Sequence, residues 1–264
     1  MNFLVWGIYD LFKNGLLRML LEGLSPDENT TAMLIGGGFV LCMVFAYLLG
    51  SVNWALVISR VFYHDDIRKH GSGNAGATNM LRTYGTGAAV ATFLGDGLKG
   101  VFAVLFACLV FGHPAEEAYY IYLITAVYLS AFFAILGHIF PCFAHFHGGK
   151  GVATTALTVL ALNPAIFVIL LTIFIVLVAG TRYVSLGSVV CVCFYPIILA
   201  SFDKVFTQYG VHTLFVLMIG ALITWAHRGN LARISQGTER KISFGKKTPV
   251  SSAPAQSKSE DGDE

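Results

Sequence analysis

Long apolar runs along this chain are separated by short polar ones. Residues 33–57 carry no charge and are long enough to span a bilayer. Residues 85–112 predict a second span, unusual in holding Asp96 and Lys99, and residues 118–140, 184–202 and 211–227 predict three more. Between Gly151 and Arg182 lie about 30 residues with Asn163-Pro164 near the middle, whereas two full spans need about 40. The pattern therefore predicts a helix pair there whose first member is short, about 152–162, and rests inside the bundle. Met1 to Leu24 reads differently. Asp10, Lys13, Arg18 and Glu22 interrupt it, which suits an amphipathic interfacial helix rather than a span or a signal peptide. Ser25-Pro26-Asp27-Glu28-Asn29 predicts a break after it.

Composition agrees with that pattern. Of 264 residues, 56% are hydrophobic and 12% charged, against about 25% charged in soluble domains. Such a chain cannot cover itself with polar surface, so lipid is its solvent. The five cysteines sit in or beside apolar runs and read as small buried hydrophobes. The fold expected is an all-α polytopic membrane protein of about seven transmembrane helices, one short, plus the N-terminal interfacial helix. The expected parts are an amphipathic extension over 1–30, a membrane domain over 31–245 and a disordered polar tail over 246–264.

Charge orients the chain. The 59–84 loop holds Arg60, Arg68, Lys69 and Arg82, and the 228–247 segment holds six further Lys and Arg, whereas 113–117 has two glutamates and neither Lys nor Arg. The positive-inside rule then places the N-terminus outside and the loops 59–84 and 141–151 and the C-terminus in the cytoplasm.

The polar residues that stand out fall on that one face. Gly71-Ser72-Gly73-Asn74-Ala75-Gly76-Ala77-Thr78-Asn79, followed by Arg82, reads as an anion cradle: glycines let backbone N–H groups approach a ligand, and the side chains add donors and a fixed charge. It matches G-x-G-x-x-G, but the dinucleotide fingerprint needs a βαβ unit, and membrane spans flank this loop. His147-Gly148-Gly149-Lys150-Gly151 lacks Walker A spacing, yet it places a lysine at the start of a helix, where free N–H groups favour an anion. Asp96 and Lys99, three apart, share a helix face and can pair, either as a structural ion pair or to charge the site. His227 and Asn230 close the last span on the same side. His138 sits beside Pro141 at the end of the third span, as an interfacial or a site residue. The histidines show no metal-ligand grouping, and no G-x-S-x-G elbow or His-x4-Asp pair is present, so no metal or cofactor is called for.

In order and spacing, these motifs resemble those of the bacterial integral-membrane acyl-phosphate:glycerol-3-phosphate acyltransferases. The resemblance runs from Gly50-Ser51 and Asp66-Ile67-Arg68 through the 71–79 loop, Asp96-Gly97-Leu98-Lys99-Gly100, Gly137-His138 and Gly148-Gly149-Lys150-Gly151-Val152-Ala153-Thr154. It continues through Arg182-Tyr183-Val184-Ser185-Leu186 to His227-Arg228, Asn230, Arg233 and Gly237-Thr238-Glu239, covering about 33–242. Gly229 stands where the family pattern has Glu, so no role for that carboxylate carries over. The resemblance implies transfer of a fatty acyl group from acyl phosphate to the 1-hydroxyl of glycerol 3-phosphate at the cytoplasmic face of a bacterial inner membrane. The partners are then the two substrates and membrane lipids, with no nucleic acid. Ser72, Lys150, His227 and Asn230 are the expected catalytic residues. Ser72, Gly73, Asn74, Thr78, Asn79, Arg82, Lys99, Gly149, Lys150, His227 and Asn230 are expected to bind substrate. The alternative is a membrane transporter of phosphate or a phosphorylated small molecule, since intramembrane charges and broken helices also mark transport sites.

Overall fold

A computed structural model describes residues 15–112, 117–206 and 210–242. The polar tail and the first half of the amphipathic extension lie outside the described residues. Among the described residues, eleven α-helices follow one another: α1 Leu16–Leu24, α2 Glu28–Gly50, α3 Trp54–Tyr63, α4 Ala77–Thr83, α5 Thr86–Phe111, α6 Glu117–Ile139, α7 Val152–Leu162, α8 Pro164–Thr181, α9 Val184–Phe206, α10 Val211–Ala226 and α11 Arg228–Ser235. Among the described residues, five helical stretches are long and apolar enough to cross a membrane, or six if the bent α10–α11 pair counts as one.

Three long helices make the core. α2, α5 and α6 meet around Cys42, Val104, Ala107, Cys108, Leu123, Ala126 and Val127, all buried. Lipid supplies no hydrophobic drive between helices, so close backbone approach must do so instead. A side chain on Gly50 would strike the Ala134 backbone, and one on Gly137 would strike the Tyr47 carbonyl, so α2 and α6 cross in near backbone contact. Outward-facing Val40, Leu41, Val44, Val168, Val176, Leu214 and Leu217 are exposed, and acyl chains are their natural surroundings.

The short helix expected at about 152–162 is α7, with bounds Val152–Leu162. Eleven residues rise about 16 Å, half of a ~30 Å hydrocarbon core. The chain then turns at Asn163, whose amide donates to the Tyr128 hydroxyl at 3.0 Å, and returns as α8.

Three elements differ from expectation. The apolar run 33–57 is two helices: α2 ends at Gly50, and Asn53 caps α3 by accepting the Leu56 N–H at 3.0 Å. Ser51 and Asn53 are uncharged, so hydropathy does not register the break. The 71–79 stretch is loop only to Gly76, because residues 77–83 coil into α4. The chain beyond His227 continues as α11, bent by 55° from α10. Breaks and connections at 51–53, 64–76, 140–151, 182–183 and 227–242 gather at one end of the bundle, which is where the cavity lies.

Candidate active site

Asn79 shapes the first glycine loop from within. Its Oδ1 accepts the Ser72 N–H at 3.0 Å, and its Nδ2 donates to the carbonyls of His70 at 2.9 Å and Ile67 at 3.2 Å. Gly71 takes a φ of +57° directly over that amide, a place with room for no side chain. The loop therefore presents its outer edge, with Ser72 and Asn74, to a cavity of about 850 Å³. Thr78, Asn79 and Arg82 of α4 line the same cavity, as do Lys150, His227 and Asn230. Residues spread over more than 150 positions of sequence thus form one site.

Its walls are apolar and its rim cationic. Phe93, Val152, Phe174, Ile175 and Val178 form the walls. Arg82, Lys150, Arg233 and Arg240 stand around the rim. Lys150 Nζ donates to Asn230 Oδ1, and Asn230 Nδ2 donates to Glu239 Oε1 at 2.6 Å. Glu239 also accepts from Ser185 Oγ at 2.8 Å and from Arg233 Nε at 2.8 Å. Asn230 is thereby oriented by one carboxylate, and it in turn fixes the Lys150 ammonium. The segment after α11 crosses the rim: Arg82 Nη2 donates to the Arg240 carbonyl at 3.2 Å, and the Ile242 N–H to the Arg182 carbonyl at 2.9 Å.

The titrations reflect this crowding of positive charge. Burial pushes the Lys150 ammonium down to about 8, with repulsion from Arg233 and Arg82 adding to it and Glu239 opposing it. Burial and then the Arg240 guanidinium press Arg82 below its ordinary value. Burial opposes the Glu239 charge, but hydrogen bonds from Asn230, Ser185 and Arg233 outweigh it and hold the carboxyl below the usual range. His227 Nδ1 lies 2.8 Å from the Ile223 carbonyl, which can only accept. The ring's other nitrogen, Nε2, is then the acceptor in the neutral form. α7 starts at the cavity, with Gly151 at its N-cap in a left-handed conformation and Gly151, Val152 and Ala153 in the lining.

Three expected substrate-binding residues are placed elsewhere. Lys99 does not line the cavity: its ammonium donates to the Val52 carbonyl at 2.7 Å and to Asp96 at 3.1 Å, and is 2.9 Å from His138 Nδ1. Gly73 turns its N–H to the His70 carbonyl at 2.9 Å, and Gly149 turns its own to the His138 carbonyl at 3.1 Å. Neither glycine lines the cavity, and both donors are already engaged by carbonyls. Conversely, Glu239, Arg233, Arg240 and Ser185 belong to the site without having been assigned to it. The signal for Glu239 is Gly237, whose φ of +69° lets the chain turn back so that both Thr238 and Glu239 N–H groups bond the Arg233 carbonyl.

The fold and the site together define a polytopic membrane protein with a cation-rimmed, apolar-walled cavity at one end of its helix bundle. A family model described as glycerol-3-phosphate acyltransferase matches residues 40–237. A glycerol-3-phosphate acyltransferase of Clostridioides difficile is 41% identical over 204 residues, 77% of this chain and 95% of that one. Its counterpart in Syntrophomonas wolfei is 40% identical over 200 residues, 76% and 95% of the two chains. The crystal structure of PlsY (YgiH), an integral membrane glycerol 3-phosphate acyltransferase, in its glycerol 3-phosphate form superposes with a TM-score of 0.68 at 31% identity, covering 78% of this chain and 96% of that one. Its lysophosphatidic acid form gives 0.65 at 30% identity, covering 78% and 95%. The chain belongs to the glycerol-3-phosphate acyltransferase family, as an integral-membrane acyltransferase of phospholipid biosynthesis. The transporter alternative falls with that membership.

Proposed function

We propose that this protein transfers a fatty acyl group from acyl phosphate to the 1-hydroxyl of glycerol 3-phosphate, giving lysophosphatidic acid and inorganic phosphate. The observation that carries the reading is the rim itself, where four cations face a cavity whose deeper walls are apolar. Two phosphorylated substrates need fixed cations and N–H groups to hold two anions together. An acyl chain needs the apolar wall. The solved relative with glycerol 3-phosphate and lysophosphatidic acid forms supports the acceptor and the product. The absence of a His-x4-Asp pair, the signature of acyl-thioester glycerolipid acyltransferases, supports a different donor.

Each step then has a residue. Ser72, Asn74, Thr78 and Arg82 hold one phosphate, while Lys150 and the N-terminus of α7 hold the other. The glycerol oxygen attacks the acyl carbonyl carbon, the bond from that carbon to the phosphate oxygen breaks, and phosphate leaves with the electron pair. The hydroxyl proton passes to His227 Nε2 or to the departing phosphate. Asn230 serves the reaction by holding Lys150. Phosphate is a good leaving group, so no acyl-enzyme is needed, and proximity with charge stabilisation accounts for the rate. The positive-inside pattern supports a cytoplasmic site in a bacterial inner membrane.

The test is a donor exchange. Purified protein given palmitoyl phosphate and glycerol 3-phosphate, without CoA or ATP, should release lysophosphatidic acid and phosphate in equal amounts. Product formed only from palmitoyl-CoA would refute the donor.

A further inference from the structure

Three ionisable side chains lie together beneath the cavity, outside the chemistry assigned above. Asp96 and Lys99 are one turn apart on α5, and His138 is at the end of α6. They are 1%, 2% and 3% exposed, respectively. Asp96 Oδ1 accepts from Lys99 Nζ at 3.1 Å and from the Trp54 N–H at 3.2 Å. Lys99 also donates to the Val52 carbonyl at 2.7 Å and meets His138 Nδ1 at 2.9 Å. Nδ1 is also 3.5 Å from Asp96 Oδ1; its shorter contact is to the ammonium, which can only donate, so Nδ1 is assigned as the acceptor and the neutral ring's proton to Nε2. All three Lys99 hydrogens are spent, and the Asp–Lys pair cancels its own charge. The cluster's task is therefore geometric.

His138 stands where the two glycine loops meet. A side chain added to Gly149 would run into His138 Nε2 and lie 2.7 Å from the Ala75 carbonyl, so Nε2, Gly149 and Ala75 converge on one spot. The loop backbone hangs from the same stretch of α6: Gly149 N–H donates to the His138 carbonyl at 3.1 Å and Gly148 N–H to the Ile139 carbonyl at 3.2 Å. On the other side, Asn53 Nδ2 donates to the Ala75 carbonyl at 3.2 Å, and Asn53 heads the helix that Asp96 holds at Trp54. Asp96 and His138 reach the cavity lining, with Lys99 behind them.

We propose that His138 is a positioning residue: Asp96 and Lys99 lock its ring, and its Nε2–H edge sets the spacing between the Ala75 and Gly149 loops, and so between Ser72 with Arg82 and Lys150. The inference rests on the reading that these loops hold the substrate phosphates. An Asn amide at 138 overlays only Nδ1 and keeps the acceptor for Lys99, whereas a Gln amide reaches the place of Nε2.

The experiment measures KM and kcat with palmitoyl phosphate and glycerol 3-phosphate on the full-length purified chain, alongside its thermal unfolding midpoint. His138→Asn should raise KM about tenfold or more with kcat changed much less, as misplaced binding groups require. His138→Gln, which restores the Nε2 group but not the Nδ1 acceptor, should show a clearly smaller KM rise than His138→Asn. The double variant Asp96→Asn with Lys99→Met leaves no buried charge and should show the same KM rise, because the ring is released. If His138→Asn does not fold, this variant and His138→Gln carry the comparison. Equal KM values in all forms, equal rises in the Asn and Gln variants, or a loss confined to kcat would overturn the proposal. A wild-type protein that makes no product from acyl phosphate would instead defeat the functional reading beneath it.

Discussion

The two lysine clusters of this protein are made of similar parts and are balanced in opposite ways. Lys150 and Lys99 each sit with one carboxylate and one neutral polar side chain. Around Lys99, every hydrogen is used: Val52, Asp96 and His138 take all three, and the buried Asp96–Lys99 pair is neutral overall. Around Lys150, one carboxylate faces four cations, and it reaches Lys150 only through Asn230. A buried charge balanced internally is suited to hold structure. A charge left in excess at a cavity rim is suited to hold a ligand. The sequence shows a lysine in a polar motif in both cases, and the number of partners distinguishes them.

Breaking the buried cluster should have the largest effect. Lys99→Ala leaves Asp96 as an uncompensated charge, which costs about 3–5 kcal/mol when a buried pair loses one member. Thermal or denaturant unfolding in detergent should show that loss. A stability within about 1 kcal/mol of wild type would mean that Asp96 is neutral or hydrated.

The rim should respond in function rather than stability. Glu239→Gln keeps the shape but removes the carboxylate that orients Asn230, Arg233 and Ser185. The expected cost is about 1–2 kcal/mol in kcat/KM, with unfolding little changed, as for a lost charge-assisted contact. Unaltered kinetics would show that Lys150 does not depend on the Asn230–Glu239 link. The smallest effect belongs to a third kind of pair: Arg60 and Asp66, 3.3 Å apart with the Arg60 side chain 54% exposed. Arg60→Ala should change neither stability by more than about 0.5 kcal/mol nor turnover. A marked loss of turnover would extend the site beyond the cavity described.

Much of this was legible because polarity is conspicuous in an apolar chain. The 71–76 loop, Arg82, Lys150, His227 and Asn230 stand out for that reason, and their shared face follows from counting charges in loops. Asn163-Pro164 with too few residues for two spans marked the half-length α7. What remained hidden depends on contacts between distant segments. The i,i+3 spacing of Asp96 and Lys99 predicts their pairing but says nothing of Val52 or His138, so Lys99 read as a ligand group. Gly149 read as an anion donor because its N–H bond to the His138 carbonyl is a tertiary contact. Glu239 needed the turn at Gly237 to come back onto Asn230. α4 and α11 have seven and eight residues, too few for a hydrophobic period to register.

The most direct test of the contrast between the clusters is kcat/KM for lysophosphatidic acid formation from palmitoyl phosphate and glycerol 3-phosphate by wild type and Lys150→Ala across pH. Burial brings the Lys150 ammonium down to about 8. Its cation is thus present below that pH and lost above it, and kcat/KM reports the free enzyme. The account predicts a loss of about 2 kcal/mol or more, roughly 30-fold, for Lys150→Ala near pH 7. The gap should narrow as wild-type kcat/KM falls above about pH 8. Near-wild-type kcat/KM for Lys150→Ala at neutral pH would contradict it.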